Sequence, residues 1–306
     1  MENSAHPSAP TPSTSAPSAT GAPAPSTSAL TATAARAAHL IVDGQPPIFA
    51  DPLAATFLGD QADQLLAYHR MNGSHDVLVG ARITVTTRSR YTEDRLAGAI
   101  RRGVTQYLIL GAGLDSFAYR SPLARHVRVT EVDHPATQRW KRTLLTARGI
   151  RPQGDVRYAE ADLEAGSLAA RLTGAGFDFS RPALISCLGV TMYLTGAAIA
   201  ATLAVAGRCA PGTELIAEYA IPEDLQDERG REYARLVAPA LAERGEPWLT
   251  FLDPADMTAL LNDHGFGDVR HVGPRDMVDA GLWNRSDALR PARLFQLADA
   301  RIRAVP

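Results

Sequence analysis

Tyr107-Leu-Ile-Leu-Gly-Ala-Gly-Leu-Asp-Ser-Phe-Ala-Tyr119 is the stretch whose reading decides the fold. An apolar, β-prone run stops at Gly111, and Gly113 follows one residue later. Glycine has no Cβ, so the chain can turn sharply there and let a ligand lie close to the backbone. A second apolar strand, residues 127–132, ends in Glu131-Val132-Asp133. Strand, glycine turn, helix, strand and acid in this order form the half of a Rossmann-like sheet that holds an adenosine group, with Asp133 accepting from the ribose hydroxyls.

Working outward, strands of similar character recur at 104–110, 156–161, 182–188 and 213–219, separated by helical segments. That alternation predicts an α/β fold with a mostly parallel sheet covered by helices on both faces. Pro135 fits the first position of a helix, where a missing N–H costs nothing. Thr195 and Asp253 are the expected caps of helices at 196–208 and 254–262. A helix from about Ser116 should be interrupted by Pro122. Strands at 267–272 and 293–297 suit a final antiparallel pair. The charged helical segment 222–250 interrupts the alternation and is expected to be an insertion capping the ligand mouth.

Before the glycine turn, residues 30–99 are largely helical by composition, and the last of these helices carries Arg88 and Arg90. Either could fold back over the cofactor pocket. Residues 1–29 are almost entirely Ala, Pro, Ser and Thr, with too little apolar surface to offset the entropy of ordering. They are expected to be a disordered tail, leaving one domain over 30–306.

The chain has 306 residues, 45% of them hydrophobic and 21% charged, with a formal net charge of −2. That balance argues against a large electrostatic footprint for nucleic acid or an anionic membrane surface. No segment approaches the ~20 apolar residues of a membrane helix, and no basic region precedes an apolar core at the N-terminus. The two cysteines, Cys187 and Cys209, have no metal-ligand spacing around them. They read as reduced, buried thiols in a cytoplasmic protein without a metal site.

The glycine turn alone leaves the cofactor open. Gly111-Ala112-Gly113-Leu-Asp-Ser116 matches a dinucleotide fingerprint only in its first two glycines. Asp115 stands at the helix entrance, where its carboxylate would oppose a pyrophosphate. S-adenosylmethionine, with no phosphate and a cationic amino-acid tail, suits this turn better than NAD(P). Asp162-Leu163 after the third strand could meet adenine, the acid at its amino group and the leucine on its ring. Asp133 and Asp162 have a competing role as caps of the helices that follow them.

Arg88-Ser-Arg-Tyr-Thr-Glu-Asp94, Leu110-Gly-Ala-Gly-Leu-Asp115 with Arg120, Glu131-Val-Asp-His-Pro135, Asp162-Leu163 and Leu188-Gly-Val-Thr-Met-Tyr-Leu194 occur in one order. Together they resemble the bacterial branch of the leucine carboxyl methyltransferase family, from about Leu40 onward. The resemblance implies a Rossmann-like class I methyltransferase with a seven-stranded sheet whose last strand is antiparallel. It implies S-adenosyl-L-methionine as cofactor, Arg88 on its carboxylate, Gly111, Ala112 and Gly113 beneath it, Asp133 on the ribose, and Asp162 and Leu163 on adenine. Many members carry a glutamate where this chain has Leu188, which removes one contact to the cofactor's amino group.

The expected activity is O-methylation of a carboxylate or hydroxyl on a small molecule or peptide, as in secondary metabolism. A nicotinamide-dependent oxidoreductase and a non-catalytic adenosine-binding protein are the alternatives. Tyr193, after the fourth strand at the carboxyl edge of the sheet, could line the transfer site; Tyr91, His134 and His264 are weaker candidates, and no catalytic base is identified. Neither the acceptor nor the oligomeric state is readable.

Overall fold

The protein's computed structural model describes residues 25–303. Helix α1 (Thr27–Val42) opens the fold, capped by Ser26 accepting from the Ala29 N–H. Helix α1 therefore starts within the stretch 1–29 expected to be a tail. A serine able to cap the helix stands at 26, and Ala34, Ala35 and Ala38 are buried on its face. Residues 1–24, the bulk of the expected tail, lie outside the described residues.

Three further helices, α2 (Ala54–Phe57), α3 (Ala62–Asn72) and α4 (Asp76–Arg101), complete the segment before the sheet. Helix α4 is pinned to α1 through Arg82, which is buried and whose guanidinium binds Asp43 at 2.7 and 2.9 Å and the Gly73 carbonyl at 2.6 Å. An arginine can be buried there because its donors meet fixed acceptors.

The sheet contains β1 (Gln106–Leu110), β2 (Arg128–Asp133), β3 (Val156–Glu160), β4 (Leu184–Cys187), β5 (Glu214–Ala220), β6 (Phe266–Val272) and β7 (Phe295–Ile302). Their spatial order is β3-β2-β1-β4-β5-β7-β6. All pairings are parallel except those of β7, which runs antiparallel to both β5 and β6. The seven expected strands are all present. β7 runs on to Ile302, past the expected end at 297, because β5 pairs with it from Phe295 to Arg301 and β6 pairs with its later residues up to Ile302. The order reverses direction between β1 and β4, the topological switch point at which such sheets bind ligands.

After β1, helix α5 (Phe117–Arg120) is a single turn. Ser121 is extended (φ −82°, ψ 128°), as the residue before a proline tends to be, and Pro122 starts a short 3-10 turn instead. Helices α6 (Pro135–Ala147), α7 (Leu168–Gly174) and α8 (Gly196–Ala206) follow β2, β3 and β4. Thr195 and Asp253 cap α8 and α10 (Pro254–Asp263) as expected. Between β5 and α10, helix α9 (Glu228–Ala242) leaves the sheet and packs on α4. Two large apolar clusters fill the two faces of the sheet, one around Leu108, Val132 and Ile185, the other around Tyr107, Ile109 and Val129.

Candidate active site

A cavity of about 650 Å³ opens at the carboxyl ends of β1, β2 and β4. Its floor is the glycine turn. Gly111 has φ +67° and Gly113 φ +46°, the left-handed region that L side chains avoid. A Cβ on Gly111 would stand 2.2 Å from Val190 Cγ2, so the turn needs glycine for close packing against the β4 loop as well as for its backbone angle. The Ala112 N–H donates to the Val132 carbonyl at 2.9 Å and locks the turn to β2.

Asp133 follows directly. One of its carboxylate oxygens accepts from the Gly113 N–H, and the other from the His134 N–H at 2.7 Å. Burial raises its pKa, and those two backbone donors pull it back toward the ionised form. The role of capping α6 belongs to His134, whose Nδ1 accepts from the Ala136 N–H at 3.3 Å. Asp133 is thereby held at the cavity with lone pairs left for a diol.

Arg88 reaches the cavity from α4, and Arg90 does not. Arg90 points outward and pairs with Asp94 in an exposed i,i+4 contact. The Arg88 guanidinium is clamped by Glu218 of β5, whose Oε2 also accepts from the Gly189 N–H at 2.6 Å. A Cβ on Gly189 would meet that guanidinium within 3 Å, so this glycine makes room for it. Burial raises the Glu218 pKa, with Arg88 and the Gly189 amide opposing the rise. The sequence held one signal for Glu218: an acid flanked by apolar and aromatic residues in the interior of strand Glu214–Ala220.

Leu163 lines the cavity, whereas Asp162 is exposed and does not. Its Oδ1 accepts from the Glu164 N–H at 2.9 Å in a local turn, and α7 begins later, so it is not that helix's cap. Tyr193 and His134 line the cavity. Tyr91 and His264 do not. The Tyr91 hydroxyl donates to Asp299 at 2.6 Å, and His264 sits at the C-terminus of α10. Both cysteine thiols are buried and free, and burial pushes each up to about 12. Among the described residues no cluster of His, Cys, Asp and Glu could hold a metal, and no helix is long and apolar enough to cross a membrane.

A second polar system secures the N-terminal helices over the glycine turn. Arg36 of α1 donates to Asp51 at 3.0 Å and to the Leu114 carbonyl at 2.8 Å. Asp51 accepts from Ser116 at 2.7 Å, Ser116 from Arg120 at 2.9 Å, and Arg120 pairs with Glu93 of α4. Sequence reasoning did not anticipate this chain of contacts. It places Ala29 of α1 directly above Gly113.

A mostly parallel seven-stranded sheet with an antiparallel seventh strand, a glycine turn after β1 and an acid after β2 define a class I methyltransferase fold. The sequence profile of the leucine carboxyl methyltransferase family matches residues 29–206. YktD of Bacillus subtilis (strain 168), provisionally named an S-adenosyl-L-methionine-dependent methyltransferase, is 31% identical over 210 residues, 67% of this chain and 68% of that one. A protein of Mycobacterium marinum with the same provisional description is 38% identical over 137 residues, 44% of this chain and 45% of that one. Among solved structures, a protein of Thermobifida fusca YX, provisionally described as a methyltransferase, superposes with a TM-score of 0.57 at 20% identity, covering 92% of this chain and 96% of that one. A DUF574 family protein from Streptomyces avermitilis superposes with a TM-score of 0.56 at 19% identity, over 87% and 96% of the two chains. The last two likenesses establish the fold. The chain belongs to the leucine carboxyl methyltransferase family of S-adenosylmethionine-dependent enzymes.

Proposed function

We propose that the protein transfers a methyl group from S-adenosylmethionine to a carboxylate or hydroxyl oxygen of a small molecule or peptide. The observation that carries this reading is a single cavity lined by both the Asp133 carboxylate, fixed by the Gly113 amide, and the Arg88 guanidinium. Asp133 has acceptors for the ribose diol, Leu163 an apolar surface for adenine, and Arg88 free N–H groups for the amino-acid carboxylate. When bound, S-adenosylmethionine supplies an electrophilic methyl on a sulfonium. The chain's own task is to orient the acceptor oxygen and exclude water.

The same floor disfavours NAD(P). Asp115 Oδ1 accepts from the Phe117 N–H at 2.7 Å, occupying an amide that a pyrophosphate would need. Helix α5 is also a single turn, too short to offer a helix-terminal anion site.

A carboxylate acceptor fits better than a hydroxyl. Burial raises the Tyr193 and Tyr233 hydroxyl pKa values, so both keep their protons near neutrality. Glu246 spends both oxygens on the Thr27 and Ser28 amides, and Glu218 is committed to Arg88. With Glu246 and Glu218 engaged in this way, an acceptor already ionised at neutral pH, which needs no base, fits the described residues around Tyr193 and Tyr233 best.

Calorimetric titration with S-adenosylmethionine, S-adenosylhomocysteine and NAD tests the proposal on wild type and Asp133→Ala. The first two should bind. The substitution, removing charged hydrogen bonds each worth about 1.5–3 kcal/mol, should weaken them by roughly tenfold to a hundredfold or more. Preferential binding of NAD, or no effect of Asp133→Ala, would overturn the assignment.

A further inference from the structure

Asp133, Leu163 and the glycine turn occupy only one side of the cavity. The other side is built largely from α1, α4, α9 and the loops beside them, with Phe295 at the start of β7, and its chemistry is different. Two small apolar clusters, separate from the sheet cores, meet there. One joins Ala32 of α1 with Ala81 and Val85 of α4, and the other joins Met192, Tyr193, Trp248 and Phe295. Tyr233 of α9 packs against both. Its ring lies so close to α4 that a Cβ on Gly80 would stand 2.6 Å away. Trp248 and Phe295 meet edge to face, centroids 5.4 Å apart and planes at 85°.

We infer that this side is an acceptor chamber for a small molecule with a flat, apolar body and one carboxylate or hydroxyl, and that a peptide is not the substrate. The inference rests on the methyl-transfer reading and names the class of acceptor.

Shape supports it first. Ala32 and Ala81 leave space beside the helices, Gly80 lets the Tyr233 ring pack against α4, and the aromatic residues supply ring faces and edges suited to another ring. Charge supports it as well. The charged residues lining this half are Arg88 and Glu246, and each already has a partner. The Glu246 carboxylate, accepting from the Thr27 and Ser28 amides at 2.7 and 2.8 Å, ties the segment after α9 to the start of α1 at the chamber's rim. The indole N–H of Trp248 is the buried polar group left without a partner among the described residues of this wall. A peptide would bring an N–H and a C=O with every residue, more than the few hydroxyls of this wall (Ser28, Thr31, Thr84 and Ser89) can pair, and each one left unpaired would cost about 1–3 kcal/mol. A molecule whose polarity is confined to the reacting oxygen avoids that cost. Transfer forms the bond between that oxygen and the methyl carbon and breaks the carbon–sulfur bond, whose electron pair stays on sulfur. A carboxylate loses no proton, and a hydroxyl would pass its proton to solvent water.

The test uses the full chain with three probes: 2-naphthoate, 2-naphthol and an N-acetylated peptide ending in leucine. Each is titrated into protein saturated with S-adenosylhomocysteine, and methyl incorporation from labelled S-adenosylmethionine is followed in parallel. A naphthyl probe should bind and be methylated in preference to the peptide. Ala81→Phe, which fills the chamber, should raise the naphthyl KM or Kd roughly tenfold or more while S-adenosylhomocysteine affinity stays within about twofold. Tyr233→Ala, which removes the wall both clusters share, should do the same, and the retained cofactor affinity shows that each variant is folded. Preference for the peptide, or no binding of either naphthyl probe to the loaded protein at millimolar concentration, overturns the inference. Failure of S-adenosylhomocysteine itself to bind would overturn the methyl-transfer reading instead.

Discussion

Lys141, the only lysine in the chain, should become indispensable as pH rises. Its Nζ lies 2.7 Å from Glu131 Oε2, with both side chains 1% exposed, and sits 5.9 and 5.5 Å from the Phe57 and Tyr119 ring centroids. The other Glu131 oxygen is buried without a partner. Burial pushes the Glu131 carboxyl up to about 7, against the opposing pull of Lys141. A folded pKa above the ordinary value means the folded state holds a proton that the unfolded chain has released. The stability this contributes is complete below the ordinary carboxylate value of 4.5 and is lost as pH rises through about 7. At ~1.4 kcal/mol per pH unit, the loss across that window is about 3 kcal/mol. Lys141→Met removes the only opposing charge, pushes the Glu131 pKa higher and extends the decline above neutrality. At pH 5.5 Glu131 is largely protonated in both proteins, and the variant should lie within about 1 kcal/mol of wild type. At pH 8.5 it should be about 3 kcal/mol less stable, the order expected for a buried pair with one partner removed. Urea denaturation at pH 5.5, 7 and 8.5 measures both curves. An equal loss at all three values would refute the argument, because a pure packing defect has no such pH dependence.

Gly111→Ala should cost about 2–5 kcal/mol, combining a left-handed backbone angle with overlap against Val190. Chemical denaturation would read it, and a wild-type midpoint would show that the turn is not constrained. Arg88→Ala should weaken S-adenosylmethionine binding by roughly tenfold to a hundredfold, whereas Arg90→Ala should stay within about twofold. Comparable losses from both, measured by calorimetry, would mean the cofactor's carboxylate is held elsewhere.

Most of the fold was legible because its signals are local. Strands β1 and β4 are short apolar runs closed by glycine, β2 closes on Asp133, and the caps Thr195 and Asp253 lie directly before their helices. Boundaries slipped where the deciding contact is distant. β7 extends to Ile302 because β5 and β6 both pair with it, and α1 starts at Thr27 because it packs on α3 and α4. Within the site, the glycine turn and Asp133 were readable for the same reason, being adjacent to the strands that place them. The choice between Arg88 and Arg90 was not. Two positions on a helix point about 200° apart, so only one can face the cavity, and the sequence does not say how α4 is rotated against the sheet. Likewise, the Arg36–Asp51–Ser116–Arg120–Glu93 chain joins residues from four separate segments, each individually indistinguishable from a solvated charge or hydroxyl.

Leu188 shows how a change at one position can mislead about a site. Read along the chain, the absence of the glutamate common at that position deletes an acid from the end of β4. In space, the neighbouring strand supplies one: the Glu218 carboxylate of β5 binds the amide of Gly189, the very next residue, and holds Arg88. An acid therefore remains at this point of the structure, but its charge is spent on the guanidinium and does not face the cavity. Leu188 lines the cavity in its place. Arg88 thus arrives pre-oriented and partly neutralised, which favours recognition of a carboxylate by direction over recognition by net charge. With Leu188 in place, the Glu218 contacts to Gly189 and Arg88 still leave an acid beside this end of β4.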